Sequence, residues 1–315
     1  MTLITAMKFN PHEGAIIADE EVTNSDRKYQ LASKIHELSA NNIIALFGGC
    51  GASDVLCDSV IQIEDSVKMP QVQIQNNQDI ANHISYVFGQ VKKQYRNGYL
   101  KDKFGISEEE FHAGKKIMSD GNLATIAKSL MERYYQTVDE KNEFAHMVQN
   151  AFLILTKDTR GIGLFIASMN LERATPVPRP YAPVGSGYDI ADKVLYEFFE
   201  DIPRDKRDSV DPIDGIAALL NAVACASTRN IGVGGTPLIK VIRHDTIIRP
   251  NENNSRLALE ITKAAEHNFL SKEFKKEALD ALIYQNVPFA DVEQKMFNQT
   301  KCPENLSYFL RGYKL

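Results

Sequence analysis

Hydrophobic and polar positions change rhythm several times along this chain, and each change predicts an element. Residues 3–9 form an apolar, β-branched run, and residues 15–18 form a second one after Asn10-Pro11-His12-Glu13-Gly14. Two such runs around a five-residue loop predict a β-hairpin. Residues 34–38 and 42–47 repeat the arrangement around Ser39-Ala40-Asn41. Gly48-Gly49-Cys50-Gly51 then interrupts the strand pattern, and from Ser53 the spacing becomes helical.

Residues 54–150 read mostly as helix. Ile80, His83, Ile84, Val87, Phe88 and Val91 make one apolar stripe, the mark of an amphipathic helix on a core. Ser107 with Glu110 three residues on is a capping-box signal, and 123–135 predicts a further helix. A second strand pair follows at 151–156 and 162–168. The helix at 189–200 carries its apolar face at Ile190, Val194, Leu195 and Phe198. The next opens with Asp211 as N-cap and Pro212 at its first position, and it runs to about residue 228. Gly232 to Gly235 breaks it, two short strands are expected within 237–248, and the last stretch, 251–315, is polar and helical without an obvious core of its own.

Strands joined by short hairpins imply antiparallel sheets, and clustered helices would cover their outer faces. The predicted class is therefore α+β, layered, and not the singly alternating βαβ type. The paired aromatics Tyr134-Tyr135 and Phe198-Phe199 read as core.

Composition narrows the function. The chain has 315 residues, net charge −5 and no basic stripe, so an electrostatic nucleic-acid binder is not expected. It shows no secretory signal and no apolar run near the length of a spanning helix, so a cytoplasmic protein is expected. The four cysteines, Cys50, Cys57, Cys225 and Cys302, are too scattered for a disulfide framework. Cys50 and Cys57 read as a buried reduced pair, not as half of a zinc site. The seven histidines are spread singly. Neither metal nor cofactor is expected, and the Gly49-x-Gly51 turn lacks the third glycine of a dinucleotide loop.

The candidate chemistry begins at Thr2. Removal of Met1 would leave a free threonine amine, whose ordinary pKa of about 7.7–8.0 makes it a base at neutral pH. A threonine hydroxyl needs such a base to become a nucleophile. A lysine nearby would hold the amine neutral by repulsion, and a carboxylate would fix the lysine. Lys34 and the adjacent Asp19 and Glu20 are the candidates.

With those residues in view, 2–54 resembles the start of a proteasome β subunit or of the bacterial HslV peptidase, N-terminal-nucleophile (Ntn) hydrolases. The shared features are the N-terminal Thr2, Ala18-Asp19-Glu20 with Thr23 four residues after Asp19, Lys34-Ile35, and Gly48-Gly49 leading into a helix. Downstream, Gly185-Ser186-Gly187 resembles the family's G-S-G segment, and residues 226–235 resemble its helix-end loop. The resemblance leaves out most of 65–145 and the C-terminal tail.

It implies a four-layer αββα sandwich over residues 1–250, with an enlarged helical insert at about 65–145 and a helical extension at 251–315. It implies a threonine-type peptidase or amidase acting on peptides or unfolded proteins. A ligase or transpeptidase, or a silent structural subunit, is the alternative. The implied roles are Thr2 as nucleophile, Lys34 tuning its amine, Asp19 or Glu20 orienting Lys34, the N–H near Gly48 facing an oxyanion, Ser186 supporting the amine, and Asn230 as a hydrogen-bonding member of the proton network. Asn230 stands where the family has Asp, and Val233 where it has Ser. A ring-like homo-oligomer is implied, with Met1 removal in place of self-cleavage.

Overall fold

The computed structural model describes residues 2–24, 27–30, 34–69, 73–118, 120–138, 150–168, 173–230 and 233–311. The expectations for Met1, for Gly232 and for the end of the helical insert near residue 145 lie outside the described residues, as do those for the side chains of Thr23, Tyr134 and Tyr135.

The first predicted hairpin is present as β1 (Leu3–Asn10) and β2 (Glu13–Ala18). Its loop is shorter than expected: Asn10 and Glu13 are register partners, and a bulge between Lys8 and Asn10 absorbs the extra residue. A small polar hairpin, β3 (Glu21–Asn24) with β4 (Arg27–Gln30), follows. Next come β5 (Ile35–Ala40) and β6 (Ile43–Cys50), joined through Asn41 and Asn42. Both asparagines are left-handed, φ 49° and 63°, as a tight two-residue hairpin turn requires. Strand β6 also runs through Gly48, Gly49 and Cys50, where an interruption was expected. The glycines do not break the strand; they let neighbours lie close. A β-carbon at Gly49 would fall 2.5 Å from Leu56 and 2.7 Å from Phe152.

Two five-stranded antiparallel sheets result. Sheet β11-β10-β9-β6-β5 contains β9 (Ala151–Asp158), β10 (Gly161–Ala167) and β11 (Thr175–Pro176). Sheet β12-β1-β2-β13-β14 contains β12 (Tyr181–Gly185), β13 (Leu238–Arg243) and β14 (Thr246–Ile248). Period-two alternation sorts side chains between layers. Ile4, Ala6, Ile16 and Ala18 meet Leu46, Leu153, Leu155 and Leu164 between the sheets. The alternate positions Leu3, Met7, Phe9, Ala15 and Ile17 face outward onto helices.

Helices α1 (Ser53–Ser66) and α2 (Asn77–Phe104) cover one outer face, against Phe47, Phe152 and Phe165. After α3 (Glu108–Ala113), β7 (Lys115–Ile117) and β8 (Leu123–Thr125), and α4 (Lys128–Val138), the chain returns to β9. On the other outer face lie α5 (Tyr188–Glu200) and α6 (Pro212–Arg229). The tail forms α7 (Glu252–Glu266), α8 (Lys272–Ile283), α9 (Phe289–Gln299) and α10 (Pro303–Arg311). Leu257, Ile261, Leu279 and Leu282 join the same buried cluster as Leu3 and Leu219, so the tail packs onto the α5–α6 layer. The order is helices, sheet, sheet, helices: the four-layer αββα sandwich.

Several local expectations hold at side-chain level. Asp211 accepts from the N–H groups of Ile213 and Asp214 with Pro212 behind it, and Ser107 and Glu110 close the capping box. In α5 the buried positions are Ala191, Leu195 and Phe199, with Ile190, Val194 and Phe198 half-buried beside them. Two further expectations are corrected. Residues 123–125 are a strand, paired through Leu123 to Ile117, and the helix begins only at Lys128. Cys50 is half-buried and Cys57 exposed, because Cys57 falls off the buried stripe of Val55, Ser59, Val60 and Ile63.

Candidate active site

Strand β1 delivers the site. It is the second strand of its sheet, flanked by β12 and β2, with Leu3 and Ile4 fully buried. Thr2 projects from its start. The pairing of β1 with β2 brings the end of β2 alongside: Asp19 N–H donates to Leu3 O at 3.1 Å, and Leu3 N–H donates to Asp19 Oδ1 at 2.8 Å. Asp19 is therefore fixed one residue from the candidate nucleophile.

Lys34 stands just before β5 and donates from Nζ to the same Asp19 oxygen at 2.9 Å. Both side chains are buried, 7% and 0% exposed, so neither charge is stable there without the other. A third donor, Gly234 N–H, reaches Asp19 Oδ2 at 3.4 Å. Burial pushes the Asp19 carboxyl above its ordinary range, while the Lys34 ammonium and the N–H groups of Leu3 and Gly234 pull it back. Of the two adjacent acids, Asp19 takes the lysine. Glu20 instead accepts from Thr236 N–H at 3.0 Å, and its own N–H donates to Gly234 O at 3.1 Å. The two acids thus fasten the segment after α6 to the end of β2.

The other side of Thr2 is built by the turn from β12 into α5. Thr2 N–H donates to Ser186 Oγ at 3.2 Å, and Ser186 N–H donates to Thr2 O at 2.9 Å. Gly185 is left-handed there, φ +104°, and a β-carbon on it would lie 2.0 Å from Thr2 O. Only glycine fits. Asn230, at the end of α6, donates from Nδ2 to Ser186 O at 3.1 Å. Gly48 pairs with Ile35, and a β-carbon there would fall 2.8 Å from Lys34 O and 2.9 Å from Ile4 Cδ1. Its lack of a side chain lets β6 pass directly beneath Lys34 and β1.

All six residues singled out in the sequence, Thr2, Asp19, Lys34, Gly48, Ser186 and Asn230, thus fall in one network of contacts. The sequence reading missed Gly234, Thr236 and the Leu3 amide, which act through backbone atoms; the Gly234-Gly235 doublet was the only trace of them. Val233 is buried, 3% exposed, in the apolar cluster under α6. Chemically, the site offers a half-buried threonine, a buried lysine–carboxylate pair and a serine beside the threonine nitrogen. Among the described residues no three His, Cys, Asp or Glu side chains gather to hold a metal ion, and no helix is long and apolar enough to cross a membrane.

The sequence matches no protein-family model and no curated protein. Solved structures are similar to it in fold. One is the Anbu complex of Pseudomonas aeruginosa, described as a helical assembly, with a TM-score of 0.56 and 9% identity over 85% of this chain and 95% of that chain. Anbu (ancestral beta-subunit) from Yersinia bercovieri has a TM-score of 0.53 and 12% identity over 85% and 94% of the two chains. A Gly-1 mutant of Anbu from Hyphomicrobium sp. strain MC1 has a TM-score of 0.53 and 11% identity over 96% and 98%. At such identities the likeness concerns the fold alone, and that fold is the proteasome-like Ntn-hydrolase fold over most of the chain.

Proposed function

We propose that this chain, built on the proteasome-like Ntn fold, is a threonine-type peptidase or amidase whose nucleophile is Thr2 after removal of Met1. The observation that carries this reading is the convergence of Lys34 Nζ and Leu3 N–H on one buried oxygen of Asp19, next to Thr2. In the proposed reaction Thr2 Oγ1 attacks the acyl carbon while its proton passes to the terminal amine. The nearby Lys34 ammonium disfavours a second positive charge, so it keeps that amine unprotonated and able to accept. The N–H near Gly48 faces the developing oxyanion, a contribution of about 3–4 kcal/mol where single donors have been removed. The amine then returns the proton to the leaving nitrogen, the acyl–Thr2 ester forms, and water cleaves it by the reverse proton path. Ser186 holds the Thr2 nitrogen, and Asn230 holds Ser186.

Peptides or unfolded proteins are the proposed substrates, a homo-oligomer the proposed working state, and the cytoplasm the proposed setting. Helical assembly in the similar Anbu complex supports self-association. Asn230 and the buried Val233 favour a second reading, a silent subunit, because they replace a carboxylate and a hydroxyl of the family pattern with neutral and apolar groups. Intact mass before and after a threonine-directed acylating inhibitor separates the readings. Loss of one methionine followed by one adduct, absent in Thr2→Ala, is the expected result. A retained methionine or an unlabelled chain overturns the proposal, and joined peptides among the products would identify acyl transfer to an amine.

A further inference from the structure

Within the helical insert lies an arm with its own small core. The last turns of α2, α3 and the residues before α4 gather around Leu100, Ile106, Phe111 and Ile126. The β7–β8 hairpin rides on this core and turns its apolar side outward. Ile117 and Leu123 are register partners, 61% and 63% exposed, with Met118 beside them at 46%. An apolar cluster of this kind on an otherwise polar surface marks a contact site. Charged side chains of both signs frame it, with the lysines in excess. Lys101, Lys115 and Lys116 line an open cavity of about 620 Å³ next to Ile117 and Leu123. The acids there are already engaged: Glu110 accepts from Ser107 N–H and Ile117 N–H, and Glu109 pairs with Lys93. Residues 92–128 carry eight basic and five acidic side chains in a chain whose net charge is −5.

The complementary surface is on the opposite outer layer. Residues 188–214 carry nine acidic and four basic side chains. Asp192, Glu197, Glu200 and Asp214 are paired to Arg179, Lys193, Arg207 and Lys276, and Asp211 caps α6, which leaves the exposed Asp189, Asp201, Asp205 and Asp208 without an ion pair among the described residues. Two large aromatic side chains stand out from the same helix, Tyr188 and Tyr196, 41% and 53% exposed.

We propose that the β7–β8 arm docks onto the acidic, tyrosine-bearing face of α5 and the loop after it in a second copy of this chain. Lysines meet unpaired aspartates, and the Ile117–Leu123 pair with its cavity receives an aromatic side chain. A second copy fits because this one sequence carries both halves of the match. The two surfaces lie on opposite sides of the double sheet, so the contact joins unlike patches and repeats head to tail, closing to a ring or continuing as a helix. The inference rests on the proposed self-association and is independent of the chemistry at Thr2.

Sedimentation velocity across a protein concentration series tests it. The wild-type chain is expected to assemble. Lys115→Glu/Lys116→Glu, Ile117→Asp/Leu123→Asp and Asp205→Lys/Asp208→Lys are each expected to weaken assembly about tenfold or more while leaving the circular dichroism unchanged. Mixing the Lys→Glu chain with the Asp→Lys chain is expected to restore assembly, since each would then supply what the other lost. A monomeric wild-type chain would overturn self-association altogether. Assembly that persists in both charge-reversed chains, or that fails to return on mixing them, would overturn this docking surface alone. The Asp205→Lys/Asp208→Lys chain tests the contact even if an arm variant does not fold.

Discussion

At Gly185 the absence of a β-carbon and the left-handed φ of +104° are both used, because Thr2 O occupies the space a methyl would need. Gly185→Ala is therefore expected to displace the turn and separate Ser186 from Thr2. A melting curve should report a loss of about 2 kcal/mol or more, and threonine-directed labelling should drop with it. Asn230 supports a second prediction. Its Nδ2 donates to a carbonyl oxygen, which an ionised carboxylate cannot do, so Asn230→Asp is expected to behave worse than Asn230→Gln despite its closer shape. The expected cost is about 1–3 kcal/mol of stability with slower labelling of Thr2; faster labelling in Asn230→Asp would refute the donor role. At this scale residue types nominated Thr2, Lys34 and the neighbouring acids, and the family resemblance added Gly48, Ser186 and Asn230. They could not choose Asp19 over Glu20, since that choice depends on which neighbour faces Leu3 N–H and Lys34, contacts made across 15 or 16 residues of chain.

Strand β5 shows how one element ties the two sheets together. Glu37 pairs with Lys240 of β13 at 2.9 Å and takes both forks of Arg249, just past β14. Arg249 and Lys240 hold its carboxyl well below the usual range, at about 2 against 4.5. The stabilisation is present above pH 4.5 and is lost as pH falls toward 2. Next to it, burial and the Lys240 charge lower the His36 imidazole to about 4 from 6.5. The unfolded chain therefore binds that proton more readily, and stability falls as pH drops from 6.5 toward 4. Urea midpoints at stepped pH should show both windows. His36→Gln is expected to flatten the upper one, and Glu37→Gln the lower one at a cost of roughly 1–2 kcal/mol near neutral pH. Elements with strong local periodicity, β1, β2, β9, β10 and the first half of α2, were legible before folding. Strand β12 was not: it contains Pro183, which suits an edge strand, and its pairing with β1 supplies order that Tyr181–Gly185 lacks as a sequence.

Over the whole molecule the C-terminal tail is part of the core. Its helices look polar in sequence because each has one narrow apolar face, and those faces close over α6 together. Removing residues 251–315 would take away Leu257, Ile261, Leu279 and Leu282 and bare the partners they cover in the same cluster, those of α6 among them. At about 1.5–3 kcal/mol for each large aliphatic side chain, that rivals the whole stability of roughly 5–15 kcal/mol. The shortened chain is expected to aggregate or to lose its cooperative melting transition. A soluble, sharply melting product would show instead that residues 1–250 hold together alone.

By itself the sequence determined what repeats over a few residues: alternating strand faces, the helical stripes, the Asp211 and Ser107 caps, and the residue types offered to the site. The tertiary structure decided the partners: Asp19 for Lys34, Gly234 for Asp19, β12 for β1, and α6 for the tail. The physical reason is range. Periodicity and capping depend on neighbours within one or two turns, whereas register, burial and charge pairing depend on residues far apart in the chain, such as Glu13 and Arg243, 230 positions apart (243 − 13), and many weak contacts must act together before one arrangement prevails.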